Sequence, residues 1–224
     1  MRVAAIDCGT NSIRLLVLSG SRKAPVELVR EVRLARLGQG VDATGEFHPD
    51  ALARTFAVCE EYARIIREHG AEKVRFVATS AARDVSNRRL LVDGVRERLG
   101  VEVDVIPGQE EARLSSMGAL CALDVASPTL VVDIGGGSTE LVLVDGAGTI
   151  LHSVSLNVGA VRLRERFLHT DPPTPGERKN ARGFVGELLD GSGIDFAAVA
   201  GAVGVAGTVT SVGDCPSSWG TSVV

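Results

Sequence analysis

The fold is decided by Ile6-Asp7-Cys8-Gly9-Thr10-Asn11-Ser12 and by its near copy, Val132-Asp133-Ile134-Gly135-Gly136-Gly137-Ser138. The second stretch follows the first at an offset of 126 residues (133 − 7). In both copies an apolar segment ends at Asp, a glycine-containing turn follows, and a second apolar segment returns. Each copy predicts a β-hairpin, over residues 3–18 and 130–144, and together they predict an internal duplication.

Both turns contain residue types that bind phosphate. Glycines allow consecutive backbone N–H groups to close around an anion, and Ser or Thr hydroxyls add donors. Two ordinary glycine-rich hairpins are the alternative, and neither turn is a Walker-type loop, because no Gly-Lys-Ser follows. The candidate phosphate-binding residues are Gly9, Thr10, Asn11 and Ser12 in the first copy and Gly135, Gly136, Gly137 and Ser138 in the second.

The rest of the sequence alternates between predicted strands and helices, which indicates an α/β protein. Apolar segments predict further strands at residues 26–34, 73–78, 101–106, 149–156 and 197–205. Helical periodicity with flanking Pro or Gly predicts helices at residues 49–69, 87–99, 110–123, 159–167 and 176–189. We predict a first domain at residues 1–124, a partial second domain at 129–210 and an irregular tail at 211–224, where no apolar period is found.

The composition excludes several classes of protein. The 224 residues carry a net charge of −4; 45% are hydrophobic and 23% are charged, which is typical of a globular rather than a disordered chain. The acidic balance argues against nucleic acid as a partner. The apolar run at residues 196–207 is too short to cross a membrane. The cysteines at positions 8, 59, 121 and 215 have no metal or redox spacing, so we expect reduced thiols and a cytoplasmic protein.

Several motifs in a fixed order resemble one known family. Besides the two hairpin turns, they are ATSAARD at residues 78–84, GQEEAR at 108–113, GAVRL at 159–163 and GVAGT at 204–208. Together they make the chain similar, over residues 2–210, to the bacterial exopolyphosphatase and guanosine pentaphosphate phosphatase family. That family belongs to the actin/sugar-kinase/heat-shock ATPase superfamily. The resemblance implies duplicated ribonuclease H-like (actin-like ATPase) domains with mixed sheets, the second of them incomplete.

The resemblance also implies roles for individual residues. Glu111 matches the glutamate that positions the attacking water as general base. Asp133 and Glu140 match the carboxylates that place Mg²⁺ against phosphate oxygens, with Asp7 as a supporting metal ligand. Arg83 matches a phosphate-contacting arginine. Three of these residues have a plainer interpretation. Glu111 would then be a residue that a helix first turn favours, Glu140 an exposed strand residue and Arg83 a partner in a surface ion pair.

The implied activity is Mg²⁺-dependent hydrolysis of a terminal phosphoanhydride, on inorganic polyphosphate or on guanosine pentaphosphate of the stringent response. A protein that binds polyphosphate or guanosine penta- or tetraphosphate without turnover is the alternative, and a kinase-like transferase is a third. The resemblance is also compatible with a homodimer. Two departures from the family bear on these expectations. The first is that Pro107 replaces a small hydroxyl residue before Gly108. The second is that residues 211–224 do not continue the family pattern, so we expect the second domain to be truncated.

Overall fold

The computed structural model describes residues 1–21, 23–121 and 125–213, and these form two compact units, Met1–Ile106 and Pro107–Val224. The elements of the first unit are strands β1 (Val3–Cys8), β2 (Ser12–Ser21), β3 (Ala24–Leu34), β4 (Lys73–Ala78) and β5 (Val103–Val105), and helices α1 (Val41–Thr44), α2 (Pro49–Glu68), α3 (Ser80–Arg83) and α4 (Arg89–Leu99). The elements of the second unit are helices α5 (Gly108–Leu120), α6 (Ala160–Phe167), α7 (Pro175–Asp190) and α8 (Ala206–Gly213), and strands β6 (Thr129–Ile134), β7 (Thr139–Val144), β8 (Ile150–Leu156) and β9 (Gly201–Val205).

The first unit is a five-stranded mixed sheet with the strand order β3-β2-β1-β4-β5. Strand β1 pairs antiparallel with β2 and parallel with β4, so the turn after β1 and the segment after β4 leave the sheet at the same edge. Alternate residues of β1 and β2 enter one core, where they meet apolar residues of α2 and α4 such as Tyr62 and Leu91, which are fully buried. The hairpin turn is therefore fixed on a well-packed sheet.

The second unit repeats this topology. Its four strands have the order β8-β7-β6-β9, which corresponds element by element to β3-β2-β1-β4. Strand β6 again pairs antiparallel with its hairpin partner and parallel with the strand that follows the helices. The duplication and the predicted ribonuclease H-like, actin-like ATPase fold with mixed sheets are thereby confirmed.

Helix α5 marks the division between the two units. Its apolar residues Ala112, Ala119 and Leu120 share a core with Val131 and Val142 of the β6–β7 hairpin. For that reason α5 belongs to the second unit, and the units divide after Ile106. The domain bounds predicted from the sequence, 1–124 and 129–210, differ from this division, because they include the helix in the first domain and leave residues 124–128 as the connector.

Two predicted segments differ from the structure. The strand predicted at 197–205 begins only at Gly201, because Phe196–Ala198 forms a 3₁₀ turn in which the Asp195 side chain accepts from the N–H of Ala197. The tail predicted as irregular from residue 211 is helical through Gly213, the end of α8, and its remainder lies outside the described residues. Within the described ranges, no helix has the length and apolar character that crossing a membrane requires.

Candidate functional site

The two hairpin turns have the same backbone geometry. The N–H of Gly9 donates to the carbonyl of Ser12 at 3.0 Å, and the N–H of Gly135 donates to that of Ser138, also at 3.0 Å. The residues that precede the two turns also occupy equivalent ladder positions, because Asp7 lies opposite Arg14 and Asp133 lies opposite Glu140. The sequence repeat is therefore a structural repeat, and differences between the two copies are differences of side chain.

In the first unit, several segments meet at the turn after β1. The Thr10 hydroxyl is buried and bonds to the hydroxyl of Ser80 at 2.9 Å, and the carbonyl of Thr10 accepts from Gly38 at 2.8 Å. The carbonyl of Asn11 accepts from the N–H of Arg36 at 2.8 Å. These bonds fix the turn against the segments that follow β3 and β4. Because either hydroxyl can be the donor in the Thr10–Ser80 bond, this turn offers a phosphate one of these two hydroxyls as well as backbone N–H groups.

Two predicted site residues of the first unit lie beside this turn. Arg83 is half-buried at the end of α3, just after β4, and its Nη1 donates to the carbonyl of Ile106 at 3.0 Å. Asp7 pairs with Arg14, whose Nη1 lies 3.3 Å from Oδ2. The Arg14 pair offsets the charge of Asp7, which makes Asp7 a weaker candidate for a metal than a carboxylate without a cationic neighbour.

In the second unit, the turn of Gly135, Gly136 and Gly137 rests on the start of α6. The carbonyls of Gly135 and Gly136 accept from the N–H groups of Ala160 and Val161, both at 2.9 Å. The remaining loop carbonyl, that of Gly137, accepts from Arg162 Nε at 2.9 Å. Among the described residues, the N–H groups of Gly136 and Gly137 have no hydrogen-bond partner. A loop whose three glycine carbonyls are engaged and in which the N–H groups of Gly136 and Gly137 are available suits an anion.

Gly159 allows this contact between loop and helix. A Cβ at this position would lie 2.5 Å from the carbonyl carbon of Gly136 and 2.7 Å from the carbonyl oxygen of Gly135. Both atoms belong to the backbone of the loop, so they could move aside only if the loop itself moved. The glycine at the start of the GAVRL motif is therefore required by close packing.

Next to this loop, two carboxylates face each other across the hairpin. Asp133 and Glu140 are directly opposed in the antiparallel ladder, so their side chains lie on the same face of the sheet. Glu140 is only 1% exposed, and its Oε1 accepts from the hydroxyl of Ser155 at 2.7 Å. Ser138, which the sequence analysis proposed for phosphate binding, also hydrogen-bonds to Glu140.

The electrostatics of this pair are unfavourable without a counter-charge. Burial above all, together with the negative charges of Glu111 and Asp133, raises the pKa of Glu140 to about 7, against the opposing effect of its serine hydrogen bonds. Like charges directly opposite on a hairpin are destabilising. A bound cation or a shared proton would relieve the repulsion.

Glu111 lies in the first turn of α5, close enough to Glu140 for its charge to raise the pKa of that residue. The departure at Pro107 does not displace the helix start. The carbonyl of Pro107 accepts from the N–H groups of Glu110 and Glu111, both at 3.0 Å, although no side chain caps the helix. Glu110 is engaged by Arg113, whose Nε lies 2.7 Å from its Oε2. The second unit therefore brings together Glu111, Asp133 and Glu140.

Asp133 and Glu140 suit Mg²⁺, which needs few protein ligands. In the part of the chain that the structure describes, no group of three or more His, Cys, Asp or Glu residues is arranged to hold a metal ion. Mg²⁺ is usually bound by only one or two carboxylates, with waters and substrate phosphates completing its octahedron. The opposed pair of Asp133 and Glu140, with one carboxyl buried and its pKa raised, has the chemistry that such binding needs.

Three residues of the site were missed by sequence reasoning. Ser155 bonds to Glu140, Ser115 donates to Asp133 Oδ2, and Arg162 holds the glycine loop. No residue pattern marks Ser155, since its role depends on the pairing of β7 with β8. A signal existed for the other two: Arg162 lies in the GAVRL motif, and Ser115 follows Glu111 by one helical turn.

Comparison with known proteins identifies the family of this chain. The model of the Ppx/GppA phosphatase family matches residues 17–215. Exopolyphosphatase 2 of Mycobacterium tuberculosis is 49% identical over 223 residues, covering 94% of this chain and 69% of its own length. A guanosine-5'-triphosphate,3'-diphosphate pyrophosphatase of Photobacterium profundum is 34% identical over 73% of this chain and 33% of its own.

A solved structure extends the likeness to three dimensions. The crystal structure of an exopolyphosphatase from Cytophaga hutchinsonii superposes with a TM-score of 0.89 at 30% identity, covering 95% of this chain and 69% of the other. Sequence motifs, duplicated topology and these relatives all agree. The chain therefore belongs to the Ppx/GppA phosphatase family, a family of phosphoanhydride hydrolases.

Proposed function

We propose that this protein releases the terminal phosphate of inorganic polyphosphate, or of guanosine pentaphosphate, by Mg²⁺-dependent hydrolysis in the cytoplasm. The observation that supports the proposal is the convergence of Glu111, Asp133 and Glu140 beside a glycine loop in which the N–H groups of Gly136 and Gly137 lack partners among the described residues. Because carboxylates repel phosphate, the arrangement makes chemical sense only if a cation mediates between them.

Each group of the second unit has a distinct task in this reaction. The N–H groups of Gly136 and Gly137 bind phosphate oxygens and orient the terminal phosphorus. Glu111 accepts the proton of the attacking water. Asp133 and Glu140 would hold Mg²⁺, which when bound neutralises phosphate charge and orients the terminal group. In the first unit, residues 9–12 and Arg83 are proposed as further phosphate contacts, and Asp7 as a supporting metal ligand.

Polyphosphate is the preferred substrate of the two. The relative named exopolyphosphatase is the more similar one, at 49% identity over 94% of the chain, against 34% over 73% for the guanosine-nucleotide pyrophosphatase. Both substrates end in the same phosphoanhydride, so the same residues would serve either. Direct comparison of the two substrates decides the preference.

The test is phosphate release from each substrate, with Mg²⁺ or with chelator, by wild type and by Glu111→Gln. General-base catalysis contributes about 10²- to 10⁴-fold, so we expect a loss of that size in Glu111→Gln. Glu110→Gln is the matched control, since Glu110 is the neighbouring acid and is engaged by Arg113. It should stay within about threefold of wild type, well inside the tenfold that 1.36 kcal/mol represents.

Two results would count against the proposal. Equal activity of Glu111→Gln and wild type would remove Glu111 from the reaction. Tight binding of polyphosphate by the wild-type protein without phosphate release would favour the alternative of a binding protein that lacks turnover.

A further inference from the structure

We propose that Ser115 is a positioning residue that sets the orientation of Glu111 through its hydrogen bond to Asp133. The inference rests on the proposed function, in which Glu111 is the general base. Its starting point is the bond from the Ser115 hydroxyl to Asp133 Oδ2, which joins α5 to β6.

The first step is helix geometry. Glu111 and Ser115 are four residues apart on α5, so their side chains lie on the same face, about 5.4 Å apart along the axis. A bond that holds Ser115 against the sheet therefore also fixes the rotation of α5 at Glu111. One turn of helix transmits this constraint with little slack, because its backbone hydrogen bonds join the two residues directly.

The second step is the packing of α5 on its own sheet. Pro107, its N-cap residue, has no side chain that can accept a hydrogen bond, and the helix buries fully only Ala112 and Ser116. Its remaining core contacts are the partly buried Ala119 and Leu120, near the far end. The Ser115 bond supplies a directional contact in the half of the helix that holds Glu111.

The third step is the rigidity of the partner. Asp133 lies in β6, which is hydrogen-bonded to β7 on one side and to β9 on the other. Asp133 also faces Glu140 across the hairpin, so the Ser115 bond joins the helix directly to the carboxylate pair. Ser115 bonds to Oδ2 of Asp133 and leaves Oδ1 for a cation or its water. The position of the general base is thus fixed relative to the proposed metal-binding pair.

The experiment compares Ser115→Ala with Ser115→Thr and with Ser116→Ala. Ser116 is the matched control, since it is buried on the same helix and, among the residues that the structure describes, its hydroxyl bonds within the helix alone, to the carbonyl of Arg113 at 3.1 Å. Loss of a supporting hydrogen bond at a site typically costs about 10- to 100-fold. We expect a fall of that size in kcat for Ser115→Ala, with KM for polyphosphate unchanged, and recovery in Ser115→Thr. Ser116→Ala should keep its kcat.

A second arm asks whether Ser115 acts through Glu111. In the Glu111→Gln background, Ser115→Ala should reduce kcat no further, because the base that it positions is already absent. An equal fall in both backgrounds would overturn the inference, since it would show an effect independent of Glu111.

A third arm does not depend on activity. Amide hydrogen exchange across residues 108–116 should be faster in Ser115→Ala than in wild type, and Ser115→Thr should restore it. Unchanged exchange would overturn the inference whether or not the protein releases phosphate. Absence of phosphate release from the wild type, with exchange responding as expected, would instead overturn the proposed function and leave the helix anchor established.

Discussion

Replacement of Glu140 by Gln should stabilise the metal-free protein at neutral and alkaline pH. Glu140 is 1% exposed, faces Asp133 across the hairpin and lies near Glu111. Gln has the same shape, and its side-chain carbonyl can still accept from Ser155, but it carries no charge. The substitution thus removes the electrostatic cost and keeps the packing.

The size and the pH range of the effect follow from the raised pKa. Burial, and then the charge of Glu111, raises the pKa of Glu140 from 4.5 to about 7. A carboxyl whose pKa is higher in the folded state favours folding while protonated, so its contribution is lost as the pH rises from about 4.5 through 7. At about 1.4 kcal/mol for each unit by which the pKa is raised, the full loss is about 3 to 4 kcal/mol. In a unit of this size that corresponds to roughly 15 °C in melting temperature.

The assay is thermal unfolding in chelator between pH 5 and 8.5, for wild type, Glu140→Gln and Glu187→Gln. Glu187 is an exposed residue of α7 in the same unit and serves as the control. Wild type and Glu187→Gln should lose stability relative to Glu140→Gln as the pH rises from 5 to about 7, with little further change above that pH. Mg²⁺ at pH 8 should stabilise wild type but not Glu140→Gln. Parallel pH profiles for wild type and Glu140→Gln would refute the reasoning, because Glu140 would then ionise at no cost.

Two further predictions concern the supporting structure. Gly159→Ala would place a methyl group 2.5 Å from the Gly136 carbonyl carbon, so we expect a loss of about 1–3 kcal/mol of stability and weaker substrate binding, measured by melting and by KM. Gly183→Ala on α7 meets no atom within 4 Å and should instead add about 0.5–1 kcal/mol with KM unchanged; a similar loss in both variants would contradict the close-packing argument. Tyr62→Phe removes the hydroxyl that donates to the Ile13 carbonyl at 2.9 Å and should cost about 1 kcal/mol in urea unfolding. An unchanged urea midpoint for Tyr62→Phe would mean that this buried bond adds nothing.

The sequence was most informative where a pattern repeats. The hairpin predicted at 130–134 and 139–144 forms strands at Thr129–Ile134 and Thr139–Val144, because a strand, its turn and its return are local in the chain. Short elements were not foreseen. Helix α3 has four residues and the 3₁₀ turn at Phe196–Ala198 has three, too few to show a period.

The sequence predicts only part of the site, because the contacts between its residues depend on how separate elements pack. Motifs indicated Glu111, Asp133 and Glu140 as separate candidates, but their convergence depends on α5 packing against the second sheet, over more than 20 residues of sequence. Because α5 packs in this way, the two units divide after Ile106 rather than at the connector predicted from the sequence. Hydroxyl groups such as those of Ser115 and Ser155 gave no periodic signal, since their partners lie on other elements.

The repeat itself indicates where the chemistry lies. At the offset of 126 residues, Arg14 corresponds to Glu140, and the structure places both at the same ladder position, opposite Asp7 and Asp133. In the first hairpin the pair is an ion pair at 3.3 Å, whose charges offset each other. In the second hairpin the same two positions hold two carboxylates, and the pKa of one is raised to about 7. Two turns with the same backbone thus differ in charge at one ladder position, and the second has the stronger reason to recruit a cation. We therefore expect the main metal ligands and the hydrolytic step at the second hairpin, and phosphate contacts, with Asp7 in a supporting role, at the first.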